Sequence, residues 1–188
     1  MVEATENNIS VQSKIDPVSR LQLMKLIEIP QAGSIVRLTY RWQNHSDVPI
    51  QMATWENSRI EHQGTVKFNS HCDVRLSDAT RPPTMKLVGE TQTITLNAST
   101  PDGLKLFISP NKDMMSDKNA FELSYQVGNV TWTKRVEPYR TPAPNESPVE
   151  IYFGTNAGFT ELEIQGPFQT IAPGGSMATT INWALSTQ

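Results

Sequence analysis

Polar and apolar residues alternate with a period of two along most of this chain. Residues 34–42 (SIVRLTYRW) and 91–96 (TQTITL) show the pattern, and 104–108 (LKLFI) repeats it in shorter form. Strand side chains point to opposite faces in turn, so such runs predict half-buried β-strands. Residues 121–127 and 130–136 flank Gly128-Asn129, a pair suited to a two-residue hairpin turn. Residues 149–153, 159–164 and 176–185 complete the set. Residues 17–27 fit two elements. Asp16 and Pro17 could start a helix there, but Leu21, Leu23, Ile27 and Ile29 also fit a strand, and the β character of everything that follows favours the strand. The spacing of the runs predicts about nine to eleven strands.

Prolines punctuate the runs. Arg81-Pro82-Pro83 and residues 138–144 (PYRTPAP) read as loops, since proline donates no ladder hydrogen bond. The second is either a functional loop or a plain surface connection. Residues 1–8 read as a polar N-terminal tail, and 9–188 as one β-sandwich domain.

Composition narrows the function classes. Sixteen basic and nineteen acidic residues give a net charge of -3. That leaves neither the basic footprint expected of a nucleic-acid partner nor a polybasic membrane patch. No apolar run reaches the length of a membrane span. Cys72 is the only cysteine, which excludes an internal disulfide and a cysteine-based zinc site. His71, Cys72 and Asp73 are consecutive, so on a strand they point to alternate faces and are poorly placed to hold a metal together. No phosphate-binding, dinucleotide-binding or nucleophile-elbow motif is present. Neither a cofactor nor a metal is expected.

The end of the chain carries a family resemblance. Val149-Glu150-Ile151-Tyr152 is followed by residues 159–168 (FTELEIQGPF), then by 171–176 (IAPGGS) and a closing strand ending Ile181-Asn182-Trp183. This resembles the C-terminal part of the galactose-mutarotase-like (supersandwich) superfamily, with a bacterial group nearest. There a carboxylate-bearing strand precedes a Pro-Gly turn and a final strand. Residues 40–50 with Ala53-Thr54-Trp55-Glu56, and residues 133–136, resemble further pieces of that group. Gly175 stands where the family has Glu, and Ser58 and Gln63 stand where Thr and Gly are expected.

The resemblance implies an all-β antiparallel sandwich. Family members are longer at the N-terminus, which implies truncation there: a fragment, a short natural form or a sandwich completed by a partner. A periplasmic or secreted location is slightly favoured over a cytoplasmic one.

Candidate chemistry starts on the strand over residues 159–164. Glu161 and Glu163 share one face, with Cβ atoms about 6–7 Å apart, while Leu162 and Ile164 share the other. On a hollow sheet the two acids could hold sugar hydroxyls, and one could act as a general base. The resemblance gives Glu163, or Glu161, the role of the mutarotase glutamate base. A solvated strand face is the plainer alternative. Trp55 beside Glu56 and Arg59 would suit stacking on a sugar ring, and core packing would also explain an indole there. His62 could face the same cleft. Arg135, Glu150 and Tyr152, with Tyr139 and Arg140, form a candidate polar cluster that ion pairing alone would also explain. The first expectation is a carbohydrate-binding module. The alternatives are an aldose-epimerase-type enzyme with a Glu base, and a structural protein that forms homodimers through its sheet edges.

Overall fold

The computed structural model describes residues 1–31, 33–111, 121–136 and 142–187. The Pro-rich loop expected over 138–144 lies partly outside these residues, and Tyr139 and Arg140 lie wholly outside them. Seventeen strands are present among the described residues, and every pairing between them is antiparallel.

One sheet has ten strands. From edge to edge it runs β1 (Val2–Ala4), β2 (Asn8–Gln12), β3 (Leu21–Glu28), β4 (Ile35–Asn44) and β17 (Ser176–Thr187). It continues through β13 (Val130–Val136), β12 (Phe121–Val127), β7 (Thr65–Asn69), β10 (Thr91–Thr95) and β9 (Met85–Val88). The second sheet has five strands in the order β6 (Trp55–Glu61), β15 (Phe159–Gln165), β14 (Val149–Gly154), β11 (Lys105–Pro110) and β8 (Cys72–Leu76). A two-stranded ribbon joins β5 (Ile50–Met52) to β16 (Gln169–Ile171).

Alternation explains how the sheets stack. On β4, Leu38 and Tyr40 are buried while Arg37 and Arg41 are exposed. On β7, Val66 and Phe68 turn inward from the large sheet. They pack with Leu106, Ile151, Phe153 and Leu162 from the small sheet in one buried cluster. A second cluster joins Leu38, Tyr40 and Ile181 to Ile164. Each such side chain withdrawn from water contributes about 1.5–3 kcal/mol.

The count exceeds the nine to eleven expected because several strands are only three to five residues long, too short for periodicity to register. Residues 21–28 form a strand, as favoured over the helix. The Gly128-Asn129 hairpin forms, with Gly128 at a positive φ of 57°. Residues 1–8, read as a tail, include β1 in a hairpin with β2. No helix among the described residues is long and apolar enough to cross a membrane.

Candidate functional site

Three neighbouring strands of the small sheet assemble the site. On β15, Leu162 and Ile164 enter the core, so Glu161, Glu163 and Gln165 take the opposite face. Register then fixes their neighbours. Glu163 lies between Asn57 of β6 and Glu150 of β14. Glu161 lies between Arg59 and Tyr152. Glu150 is opposite Phe107 and Tyr152 is opposite Lys105, which brings β11 onto the same face.

At the centre, Lys105 serves two acids. Its Nζ is 2.5 Å from Glu150 Oε2 and 2.9 Å from Glu163 Oε2. Both carboxylates are buried although they face away from the hydrophobic core. Lys105 reaches both of them from β11, and its Nζ is 5.2 Å from the Trp55 ring centroid. A second ring, Phe107, lies 5.7 Å from the same ammonium. Such cation–π contacts add to the ion pairs in a partly desolvated place. Trp55 itself is 57% exposed. From the loop before β14, the Ser147 N–H donates to Glu150 Oε1. Gln165 Oε1 is buried on this face without a hydrogen-bond partner among the described residues.

The environment separates the two acids electrostatically. Burial pushes the Glu163 carboxyl up to about 7, against the pull of Lys105, and the neighbouring Glu150 adds to the rise. Burial also opposes ionisation of Glu150, but hydrogen bonds from Glu146, Lys105 and the Ser147 N–H outweigh it and hold Glu150 below the usual range. Glu146 is raised chiefly because it shares a hydrogen bond with Glu150. For Lys105, burial disfavours the ammonium, yet the two carboxylates more than offset this and raise its pKa. One carboxyl of the pair is therefore poised to exchange a proton near neutrality while the other stays charged.

Around this centre Arg59 binds Glu161 at 2.7 Å and stacks on Phe159, 4.0 Å from its centroid. The Glu161 carboxyl is lowered: burial would raise it, but Arg59 and Asn57 prevail. At the other end Arg75 stacks on Phe107 at 3.7 Å. The result is a surface of aromatic rings and cations above a floor of buried carboxylates.

Of the residues singled out from the sequence, Glu161, Glu163, Glu150, Tyr152, Arg59 and Trp55 share this face. Three others lie elsewhere. Glu56 follows Trp55 and so points the opposite way, into the sandwich. There Lys134 Nζ donates to its Oε2 at 2.6 Å and to the Leu162 carbonyl at 2.7 Å. His62 sits at the end of β6, bonded to Thr160 Oγ1 and the Asn97 carbonyl. Arg135 is on the outer face of the large sheet, paired with Glu122. Lys105, Glu146 and Gln165 were not anticipated. The only signal for Lys105 was a lysine on the outward face of a strand, which says nothing about its partners. No group of three or more potential metal ligands occurs among the described residues.

Comparison with known proteins gives a family and a fold. The model of the family described as Domain of unknown function (DUF4380) matches residues 1–186. No curated protein matches the chain. Among solved structures, a galactose mutarotase-like protein from Lactobacillus casei superposes with a TM-score of 0.64 at 11% identity, over 99% of this chain and 72% of that one. A galactose mutarotase related enzyme from Lactobacillus acidophilus gives 0.57 at 8% identity, over 100% of this chain and 71% of that one. A galactose mutarotase-like protein from Clostridium acetobutylicum gives 0.55 at 10% identity, over 100% and 65%. At these identities the likeness is one of fold, the galactose-mutarotase-like sandwich.

Proposed function

The chain belongs to the DUF4380 family, and from that premise we propose that it binds carbohydrate on the outer face of its five-stranded sheet. One observation carries the reading: the half-exposed Trp55 indole stands beside an ammonium, Lys105, that two buried carboxylates hold in place. An exposed indole offers a flat apolar surface for a sugar ring. Lys105, Asn57 and Arg59 around it supply donors for hydroxyl groups, and the buried Glu150 and Glu163 fix the position of Lys105 beforehand. The mutarotase-like fold supports a sugar as ligand. Titration of the protein with neutral hexoses, followed by Trp fluorescence, tests the proposal. Saturable quenching that disappears in Trp55→Ala supports it, and an unresponsive wild-type protein across the panel refutes it.

A second reading, aldose-epimerase chemistry, draws on the raised carboxyl of Glu163. A group near 7 is well matched to taking and returning the anomeric hydroxyl proton at neutral pH. Because Glu163 is buried and its carboxylate is held by Lys105, a substrate would have to displace that ammonium to reach it. Polarimetry of fresh α-glucose or α-galactose decides this reading. Acceleration lost in Glu163→Gln supports catalysis, whereas sugar binding with no acceleration leaves a binding module.

A further inference from the structure

The outer face of the ten-stranded sheet holds a different feature. Two adjoining hollows lie across β2, β3, β4 and β17, with volumes of about 430 and 140 Å³. They share Met24 and Arg41 in their walls. The larger is walled mainly by Met24, Leu26, Met177 and Ala178, with the Ser176 hydroxyl at one side. The smaller is polar and includes Gln12, Gln22 and Gln43. Its volume and that of its neighbour together fall in the range of small-molecule sites.

Charge and hydrogen bonding specify what would fit. Among the described residues, Arg41 is the one charged side chain in either wall. Among the described residues it has no acidic partner, and its Nη2 donates a hydrogen bond to Ser176 Oγ at 3.2 Å. Gln22 is already engaged, donating to the Ser13 carbonyl and meeting His45 through its Oε1. A planar guanidinium with donors to spare matches a carboxylate in fork geometry. The apolar hollow beside it, lined by flexible methionine and leucine side chains, suits a short hydrocarbon body.

We propose that this trough binds a small amphipathic carboxylate, with the anion on Arg41 and the apolar body over Met24, Leu26 and Ala178. The site is on the sheet opposite to the one carrying Trp55, and it stands independently of the sugar reading.

Calorimetric titration of the full chain with octanoate at low ionic strength tests it, with 1-octanol and octylammonium as probes of the same body and different charge. Octanoate binds at a single site, and both other probes bind at least about tenfold more weakly, as expected for a charge-assisted contact. Arg41→Gln weakens octanoate about tenfold without changing the thermal midpoint, since Arg41 is exposed. Ala178→Trp fills the apolar hollow and blocks octanoate, whereas Trp55→Ala leaves it unaffected. The proposal is overturned if octanoate shows no saturable binding. It is equally overturned if 1-octanol or octylammonium competes on equal terms, or if folded Arg41→Gln and Ala178→Trp both bind octanoate normally.

Discussion

Glu150 and Glu163 face each other across β14 and β15, and the Lys105 ammonium from β11 bridges both. Two carboxylates beside each other in a poorly solvated place cannot both ionise cheaply. The arrangement therefore depends on Lys105, and the first consequences concern stability.

Lys105→Met removes the shared cation and leaves the two acids facing each other. Breaking a buried pair from one side is costly, so the variant loses about 3 kcal/mol at pH 8. The loss is smaller at pH 5, where Glu163 is protonated in the folded state. Urea unfolding at the two pH values measures it, and Lys105→Met combined with Glu163→Gln recovers part of the deficit.

Glu163 also sets a pH dependence with a definite sign. Its folded pKa of about 7 lies above the unfolded value, near 4.3. Between these values the folded protein keeps a proton that the unfolded chain has released, so stability falls as pH rises through the window. The change is on the order of 3 kcal/mol. Glu150, whose pKa is lowered, acts below the unfolded value and outside this window. Urea midpoints from pH 4.5 to 8 should slope downward in the wild type and flatten in Glu163→Gln. Parallel profiles would show that Glu163 titrates normally.

How much of this was legible in the sequence follows from the range of each interaction. Alternation within one strand is local, so the shared face of Glu161 and Glu163 and the inward course of Leu162 and Ile164 could be read directly. The partner acid Glu150 belongs to the adjacent hairpin strand and was among the candidates. Lys105 is more than forty residues away from Glu150, and its arrival depends on the register between β11 and β14, which no local pattern encodes. Grouping Trp55 with Glu56 overlooked that consecutive strand residues part company. The sequence 55–61 carries too many polar residues on both faces to announce itself as a strand, because one of its inward positions is a glutamate balanced by the remote Lys134.

That interior pair gives a further prediction. Burial lowers the Lys134 pKa to about 8 despite the attraction of Glu56. Glu56→Ala strands the ammonium among apolar groups and costs about 3–5 kcal/mol at pH 7. The cost shrinks at pH 9.5, where folded Lys134 is neutral and the unfolded lysine is still largely charged. Adding Lys134→Met restores most of the stability. Chemical denaturation of the two single variants and the double variant measures the coupling.

Gly64 tests the packing between sheet and turn. It has a φ of +77°, and a Cβ there would stand 2.2 Å from the Gln126 carbonyl oxygen. A backbone atom has little freedom to yield, and the left-handed conformation adds its own strain. Gly64→Ala therefore destabilises by about 2 kcal/mol or more. Gly89→Ala, where the added methyl meets open space, provides the matched control for backbone conformation alone. Thermal unfolding of the two variants gives the comparison.

Trp55 links stability to the proposed function in the opposite sense. Its indole is largely exposed, so Trp55→Ala keeps the fold within about 1 kcal/mol while abolishing sugar binding. The most direct measurement is a titration of ¹⁵N-labelled protein with a panel of neutral hexoses, read from the indole and backbone amide signals. The account predicts saturable shifts concentrated at Trp55, Asn57, Lys105 and Tyr152, and their loss in Trp55→Ala. Shifts confined to other surfaces, or none at any sugar concentration, would contradict it.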